Sequence, residues 1–456
     1  MGLENELGWT ICEGPTVYLR WKIRAHNIHN IQGKKGTSGW HHIRFFFVEV
    51  PNNIYELVYV DQKAKLRSAV YYNLISWTWV AILCTAEPIC LYNCRFNEKK
   101  LGHLKIHLND IKSATNNFSE AHTIGSSSSY TLYRVEFHCF DKENLSYQKG
   151  KYEGEHLEGQ STVVLKRYPS GHNLYGEEEF FLEIEILTNV KHPNIVNLLG
   201  FCVEDSEMVL ITENISKGYL IDYLGNANRM RILTWEKRLK ICIDVAHALN
   251  YLHYGMEDQK IIINRQINSF SIGLDENWGA KIVDFWFSVF LPPYQEDEAL
   301  YLNRCIGRPF YIDPQYEKTC KLKRESDVYS FGVVLFEILC GRRANDPIYK
   351  KENVRGLGPV ARKSFYMGTL EGMIDPILKD EIVENNFVLS RGPNKDSLHT
   401  FMKIAYQCVA ETQDQRPTMK VVVKELEKAL SFQVSQVSKT LTFLYTCKML
   451  VNSRLN

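Results

Sequence analysis

The sequence predicts an α+β chain built as two unequal lobes, and three observations point there. Strand-like apolar runs gather before residue 214, amphipathic helical stripes dominate after it, and one helical segment, Val328 to Leu339, has no polar relief. Such a segment belongs at the centre of the larger, helical part. A short helix-like stretch runs from Ile111 to Phe118, followed by strand-like runs around Tyr130 to Phe137 and Thr162 to Arg167. Between them Asp141 to Gln160 is polar, charged and Gly-containing, which reads as a surface loop. Glu177, Glu178 and Glu179 open a helix whose apolar positions Phe181, Ile184, Leu187 and Val190 recur at three-residue spacing. Acidic residues suit a helix N-terminus electrostatically. Two more strand-like runs follow, Ile195 to Val203 and Met208 to Glu213. In the helical part, Trp235, Leu239, Cys242, Ala246 and Leu249 make one apolar stripe, Phe401, Ile404, Ala405 and Cys408 mark another helix, and Val421 to Leu430 a last one. Residues 1 to about 100 show no sustained period and receive no fold, and the final residues, 434–456, form a tail without a clear role.

Composition narrows the function. The 456 residues carry 54 Lys+Arg against 53 Asp+Glu, a formal charge of +1, so no net basic field holds a polyanion and nucleic acid is not an expected partner. The 12 cysteines are scattered, without a CxxC pair, and Cys202, Cys242, Cys340 and Cys408 sit inside apolar patterns. They read as reduced packing residues of a cytosolic protein. Met1 to Gly14 has acidic residues and no apolar core of a secretory signal, and Glu6 stands where a myristoylation signal wants Ser or Thr. One stretch, Ser68 to Ala86, is uncharged and rich in Val, Ile, Leu and Trp, which makes it the sole membrane candidate. Tyr71, Tyr72 and Asn73 dilute it, and a buried or irregular segment is the commoner reading of such a run.

Three segments belong together in the search for chemistry: Ile124-Gly125 with the serines after it, Val163-Val164-Leu165-Lys166, and Asp284-Phe285. A Gly-bearing turn between strands can lie over phosphates, a lysine ending an apolar strand can reach them, and an aspartate can hold Mg²⁺. Each alone has a plainer reading: Lys166 as a surface lysine, Ser126 to Ser129 as a turn, Asp284 as a loop acid. Order and spacing raise their joint weight.

On these segments and on LNDIKSATNNFSE at Leu108, EIEILTNVKHPNIVNLLGFC from Glu183, LTWEKRLKICIDVAHALNYLH from Leu233, ESDVYSFGVVLFEILCGR from Glu325 and QRPTMKVVVKELE from Gln415, the chain resembles the plant receptor-like protein kinases. The resemblance covers about 108–433 and implies a two-lobed kinase fold, with a β-rich N-lobe over about 119–213, a hinge at Glu213 to Ser216 and a helical C-lobe over about 217–433. By the same resemblance Lys166 pairs with Glu183 toward the ATP phosphates, Asp284 coordinates Mg²⁺, Thr212 guards the back of the adenine pocket, and Ile124, Gly125, Val164, Glu213 and Ile215 complete the nucleotide site. Asp327 would anchor the catalytic loop, while Arg416 finds Gln315 where the family keeps a glutamate, so an ion pair is expected to weaken to a neutral hydrogen bond.

The departures fall on the chemistry. In the catalytic loop the family's histidine, arginine, aspartate, lysine and asparagine become Asn264, Arg265, Gln266, Asn268 and Ser271, so only the arginine survives. An amide has no basicity comparable with a carboxylate, and general-base catalysis contributes about 100 to 10,000-fold. Asn268 removes a positive charge, and Ser271 offers a second Mg²⁺ a poorer, shorter ligand. Ser127 and Tyr130 replace the second and third glycines of the phosphate loop, Trp286 replaces the glycine after Asp284-Phe285, and Gly273 stands where an apolar side chain floors the adenine. From Asp284 to Tyr316 there is no threonine, and Ser288 with Tyr294, Tyr301 and Tyr311 remain as possible acceptors of phosphate. The expectation is a pseudokinase acting as adaptor or decoy beside other protein kinases or receptor kinases, cytoplasmic or at the cytoplasmic face of the plasma membrane. An active Ser/Thr kinase with an unusual base is the alternative. A third reading, a decaying gene copy or faulty gene model, rests on the featureless first hundred residues and the tail.

Overall fold

A computed structural model describes five strands between residues 4 and 70, and residues 101–452 except 128–129, 138–160, 169–173, 257–260, 292–298, 352–353 and 381–391. The chain divides into two units. In the first, β1 (Glu4–Ile11), β2 (Thr16–Ala25), β3 (Gly39–Val50), β4 (Ile54–Asp61) and β5 (Arg67–Val70) form an antiparallel meander in sequence order. This differs from the sequence reading, which found no period there. β3 gives the reason: Phe45-Phe46-Phe47-Val48 is apolar without a break, so the alternation that marks a strand is lost. The membrane candidate Ser68 to Ala86 overlaps β5 at its first residues and otherwise lies outside the described residues. No helix among the described residues is long and apolar enough to cross a membrane.

The second unit holds the two lobes. Its N-lobe starts with α1 (Leu108–Ala114), which ends earlier than its apolar pattern because Asn116, Asn117 and Phe118 take left-handed φ of 47°, 54° and 57°. Asparagine tolerates that region better than most side chains. Then β6 (Thr123–Ser126), β7 (Thr131–Phe137), β8 (Ser161–Tyr168), β9 (Leu198–Glu204) and β10 (Glu207–Glu213) form a sheet in the order β6-β7-β8-β10-β9, with α2 (Leu174–Asn189) inserted after β8. All of its pairings are antiparallel. Successive strand residues point to opposite faces. On β8 this sends Val163 and Leu165 into an apolar cluster with Leu108 and Ile111 of α1, and leaves Val164, Lys166 and Tyr168 on the face turned toward α2 and the cleft. The strand expected from Ile195 begins only at Leu198, because 195–197 approach as a bridge to Ile282 and a hydrogen bond with Glu213 instead. The loop expected at Asp141 to Gln160 lies outside the described residues.

The C-lobe contains α3 (Trp235–Asn250), the short strands β11 (Ile261–Ile263), β12 (Ile272–Leu274), β13 (Ala280–Ile282) and β14 (Val289–Leu291), then α4 (Pro314–Thr319), α5 (Arg324–Cys340), α6 (Leu357–Tyr366), α7 (Lys395–Cys408) and α8 (Met419–Asn452). Every residue of α5 from Ser326 to Cys340 is buried, the polar Ser326, Asp327, Ser330 and Glu337 included, and the mostly apolar run from Val328 to Leu339 lies at its centre as expected. Gly332 lets α7 come close: a Cβ there would meet that of Cys408 at 2.7 Å. The helix stops at Gly341, whose φ of 64° glycine adopts without strain. Trp235 opens α3 fully buried, its Nε1 donating to Ser397 Oγ at 2.9 Å and its ring edge-on to Phe401 of α7. The last helix does not end near Leu430; its backbone continues through the expected tail to Asn452. Cys202, Cys242, Cys340 and Cys408 are buried free thiols, and burial raises the pKa of each.

Candidate nucleotide cleft and catalytic loop

Between the lobes, three residues far apart in sequence converge. Lys166 Nζ from β8 donates to Glu183 Oε1 of α2 at 2.9 Å and Oε2 at 3.1 Å, and to Asp284 Oδ1 at 2.8 Å. All three are buried. Burial alone disfavours the ammonium, but the Asp284 and Glu183 carboxylates outweigh it and Lys166 titrates above its ordinary value. Burial likewise works against the Asp284 carboxylate, yet Lys166 and the hydrogen bonds around it hold it below the usual range. Glu183 goes the other way: burial raises it more than Lys166 lowers it. The Tyr168 hydroxyl also donates to Glu183, and the backbone N–H groups of Phe285 and Trp286 donate to Glu183 Oε1 and Asp284 Oδ1 at 3.1 and 3.2 Å.

The free oxygen of Asp284 is not left for a metal. Tyr130, the residue before β7, donates its hydroxyl to Asp284 Oδ2 at 3.0 Å, and Lys166 Nζ lies 4.4 Å from the centre of its ring. Burial, reinforced by Asp284, pushes the phenol well above its ordinary pKa. It therefore remains a donor. The floor is filled as well: a Cβ on Gly273 would meet Ile215 side-chain atoms at 2.8 Å, so Ile215 occupies the space that the missing side chain leaves. Arg134 Nη2 donates to the Ile215 carbonyl at 3.0 Å. Tyr130, Val164, Lys166, Thr212, Ile215 and Asp284 are among the residues lining what remains, a space of about 30 Å³, or room for about two waters.

The catalytic-loop segment is closed upon itself. Asp327 of α5 accepts from the backbone N–H of Asn264 and of Arg265, both at 2.8 Å, and contacts His253 Nε2 at 3.0 Å. Asn264 reaches Asp284 main-chain oxygen at 2.9 Å. Arg265, with a left-handed φ of 62°, donates to the Phe287 carbonyl at 3.1 Å and the Tyr316 hydroxyl at 3.0 Å. Asn268 Nδ2 and Ser271 Oγ both donate to the Gln266 carbonyl at 2.6 Å, and both side chains are buried. Gln266 Oε1 is buried without a hydrogen-bond partner. Ser288 is buried and donates to the Asn264 carbonyl, and Tyr311, also buried, donates to Glu337 Oε1 at 2.6 Å. Both hydroxyls serve packing; Tyr294 lies outside the described residues.

A sequence profile described as protein tyrosine and serine/threonine kinase matches residues 146–426. The chain belongs to the protein kinase family. It is similar to the receptor-like protein kinase ANXUR2 of Arabidopsis thaliana, with 37% identity over 72% of this chain and 34% of that one. The probable receptor-like protein kinase At2g23200, from the same plant, is 36% identical over 76% of this chain and 37% of its own. FERONIA, a third Arabidopsis receptor-like protein kinase, is 33% identical over 72% and 32%. The chain spans about a third of the length of these relatives.

Among the residues that the kinase resemblance singled out, Val164, Lys166, Glu183, Thr212, Ile215 and Asp284 are brought to one cleft. Ile124 and Gly125 sit on the more exposed β6, and Glu213 turns its carboxylate away to Asn197 and Lys281. One expectation is corrected. Arg416 does not settle for Gln315: its Nη2 meets Asp313 Oδ1 at 2.6 Å, both side chains fully buried. As N-cap of α4, Asp313 is already turned inward, and Gln315 Oε1 instead accepts from the Gln413 backbone. The ion pair has moved by two residues rather than weakened. Sequence reasoning noticed the bulk of Tyr130 but not its bond to a residue 154 positions away.

Proposed function

We propose that this chain is a pseudokinase: a kinase-shaped protein that signals by binding an active kinase or receptor kinase, as adaptor, decoy or allosteric partner. One observation carries the reading, the amide of Gln266 where the family's catalytic carboxylate belongs. A neutral amide cannot take a hydroxyl proton, and the loss of a general base costs about 100 to 10,000-fold on a family turnover of about 1 to 100 per second. Asn268 and Ser271, spent on the Gln266 carbonyl, offer neither charge nor ligand to a phosphate or metal.

The cleft as arranged does not fit Mg-ATP. Both Asp284 oxygens are engaged, and about 30 Å³ of space compares with roughly 300 Å³ or more in ordinary ligand sites. By likeness to receptor-like kinases, the proposed place of work is the cytoplasm or the cytoplasmic face of the plasma membrane. The test is the purified protein with Mg-ATP and a generic protein substrate, beside Lys166→Ala and Asp284→Asn. No transfer above the two variants is expected. Transfer by the wild type that both substitutions abolish would overturn the proposal.

A second reading, an active Ser/Thr kinase with an atypical loop, is favoured by the intact Lys166, Glu183 and Asp284 cluster. It requires Tyr130 to leave Asp284, and it predicts Mg-dependent thermal stabilisation of the wild type by ATP.

A further inference from the structure

Two thiols close the lower end of the activation segment. Cys305 Sγ donates to the carbonyl of Tyr316 at 2.9 Å, and the backbone N–H of Cys320 donates to that same carbonyl at 2.8 Å. Sharing one acceptor sets the Cys305 side chain beside the Cys320 backbone, and Cys320 is close enough to bear on the Cys305 thiol electrostatically. Cys320 is the residue after α4, with a left-handed φ of 53°, a conformation in which helices commonly end on glycine and which a side chain bearing Cβ adopts only at a cost. Among the described cysteines these two are partly exposed, whereas Cys202, Cys242, Cys340 and Cys408 are buried. An oxidant arriving from solvent therefore meets this pair first among the described cysteines.

We propose that Cys305 and Cys320 form a reversible disulfide under peroxide, a modification site that staples the end of the activation segment to the end of α4. The inference does not rest on the pseudokinase reading. Burial, reinforced by the neighbouring Cys320, raises the pKa of the Cys305 thiol. The thiolate of one of the two cysteines displaces hydroxide from hydrogen peroxide and becomes a sulfenic acid. The other sulfur then attacks that sulfur, its proton leaves with the departing hydroxide as water, and the S–S bond forms. Two thiols and one peroxide give one disulfide and two waters. The bond would fix Tyr316, whose hydroxyl holds Arg265 Nη2 at 3.0 Å and the Ile306 N–H at 3.2 Å, so the catalytic-loop arginine and the activation segment would be tied to one covalent loop.

Trypsin separates the partners, because cleavage after Arg304, Lys318 and Lys321 leaves Cys305 and Cys320 on different peptides. The full chain is treated with hydrogen peroxide at one to a few equivalents, alkylated, digested and mapped by mass spectrometry. The expected result is the Cys305–Cys320 linked pair as the main oxidation product among the described cysteines, removed by dithiothreitol and absent from Cys305→Ser and Cys320→Ser. Both thiols remaining alkylatable, or oxidising singly to sulfinic acid without a link, would overturn the proposal. The wild-type map stands by itself if either serine variant fails to fold.

Discussion

The buried ionic anchors of the C-lobe and the cleft beside them have fared differently. In the C-lobe, Arg416 holds Asp313, Arg238 holds Asp375 at 2.6 Å, and Asp327 holds two backbone N–H groups of the catalytic loop. In the cleft the charged cluster also persists, but its outward-facing oxygen is covered by Tyr130 and the loop's polar side chains bond to the loop itself. An ion pair can move to a new partner, as Arg416 has, and still support the frame. Phosphate transfer tolerates no such exchange, because it needs a carboxylate at one place.

Breaking an anchor should therefore cost the most. Arg416→Met strands the Asp313 carboxylate, whose side chain is fully buried, and removal of one partner from such a pair typically costs about 3–5 kcal/mol. Burial opposes the Asp313 charge, and Arg416 is what keeps its pKa below the ordinary 3.8. That stability is present above the unfolded value and lost as pH falls through the folded one. Urea unfolding at pH 7 measures the full loss; equal stability of variant and wild type there would mean that the pair does not support the frame.

A second anchor should be visible through pH. Burial lifts Glu337 from 4.5 to about 7, although Tyr311, Ala344 and Ser269 all donate to it. The sign follows from a raised folded-state pKa: the contribution is present below about pH 4.5 and lost as pH rises to about 7, at about 1.4 kcal/mol for each pH unit crossed. The drop from this group is on the order of 3 kcal/mol. Unfolding of wild type and Glu337→Gln compared at pH 4.5 and pH 8 checks it; an unchanged drop in the variant assigns the pH dependence elsewhere.

The cleft should answer in ligand binding more than in stability. Tyr130→Phe loses one hydrogen bond to a charged group, worth about 1.5–3 kcal/mol, and keeps the ring in place. Tyr130→Gly also removes the ring, and we expect Mg-ATP to raise its melting temperature while leaving that of Tyr130→Phe and of the wild type unmoved. Stabilisation of all three would show that Tyr130 is a door rather than a plug.

The frame was legible because its signals are local and periodic. The stripe Trp235, Leu239, Cys242, Ala246, Leu249 became α3, and the unrelieved run after Val328 became the buried α5. The losses at Gln266, Asn268 and Ser271 were legible as residue types in a recognisable order. What filled their place was not, because the partners of Tyr130, Arg134 and Asp313 lie 154, 81 and 103 positions away along the chain. A hydrogen bond of that span leaves no period behind. The five N-terminal strands escaped for another reason, since continuous apolar runs such as Phe45 to Val48 do not distinguish a strand from any other buried segment.

The smallest effect is expected where the sequence departs most visibly. Gln266→Asp restores the carboxylate, yet it returns to a loop in which Asn268 and Ser271 still face the residue 266 carbonyl and beside a cleft still held by Tyr130. Groups that act as a unit in catalysis do not contribute singly, so phosphate incorporation by Gln266→Asp should stay at the wild-type level. Adding Tyr130→Gly to it should gain nucleotide binding without transfer, since no second metal ligand has been supplied. A tenfold rise from Gln266→Asp alone would mean that the base was the sole missing part, and that the closed loop and the covered aspartate open readily once chemistry is available.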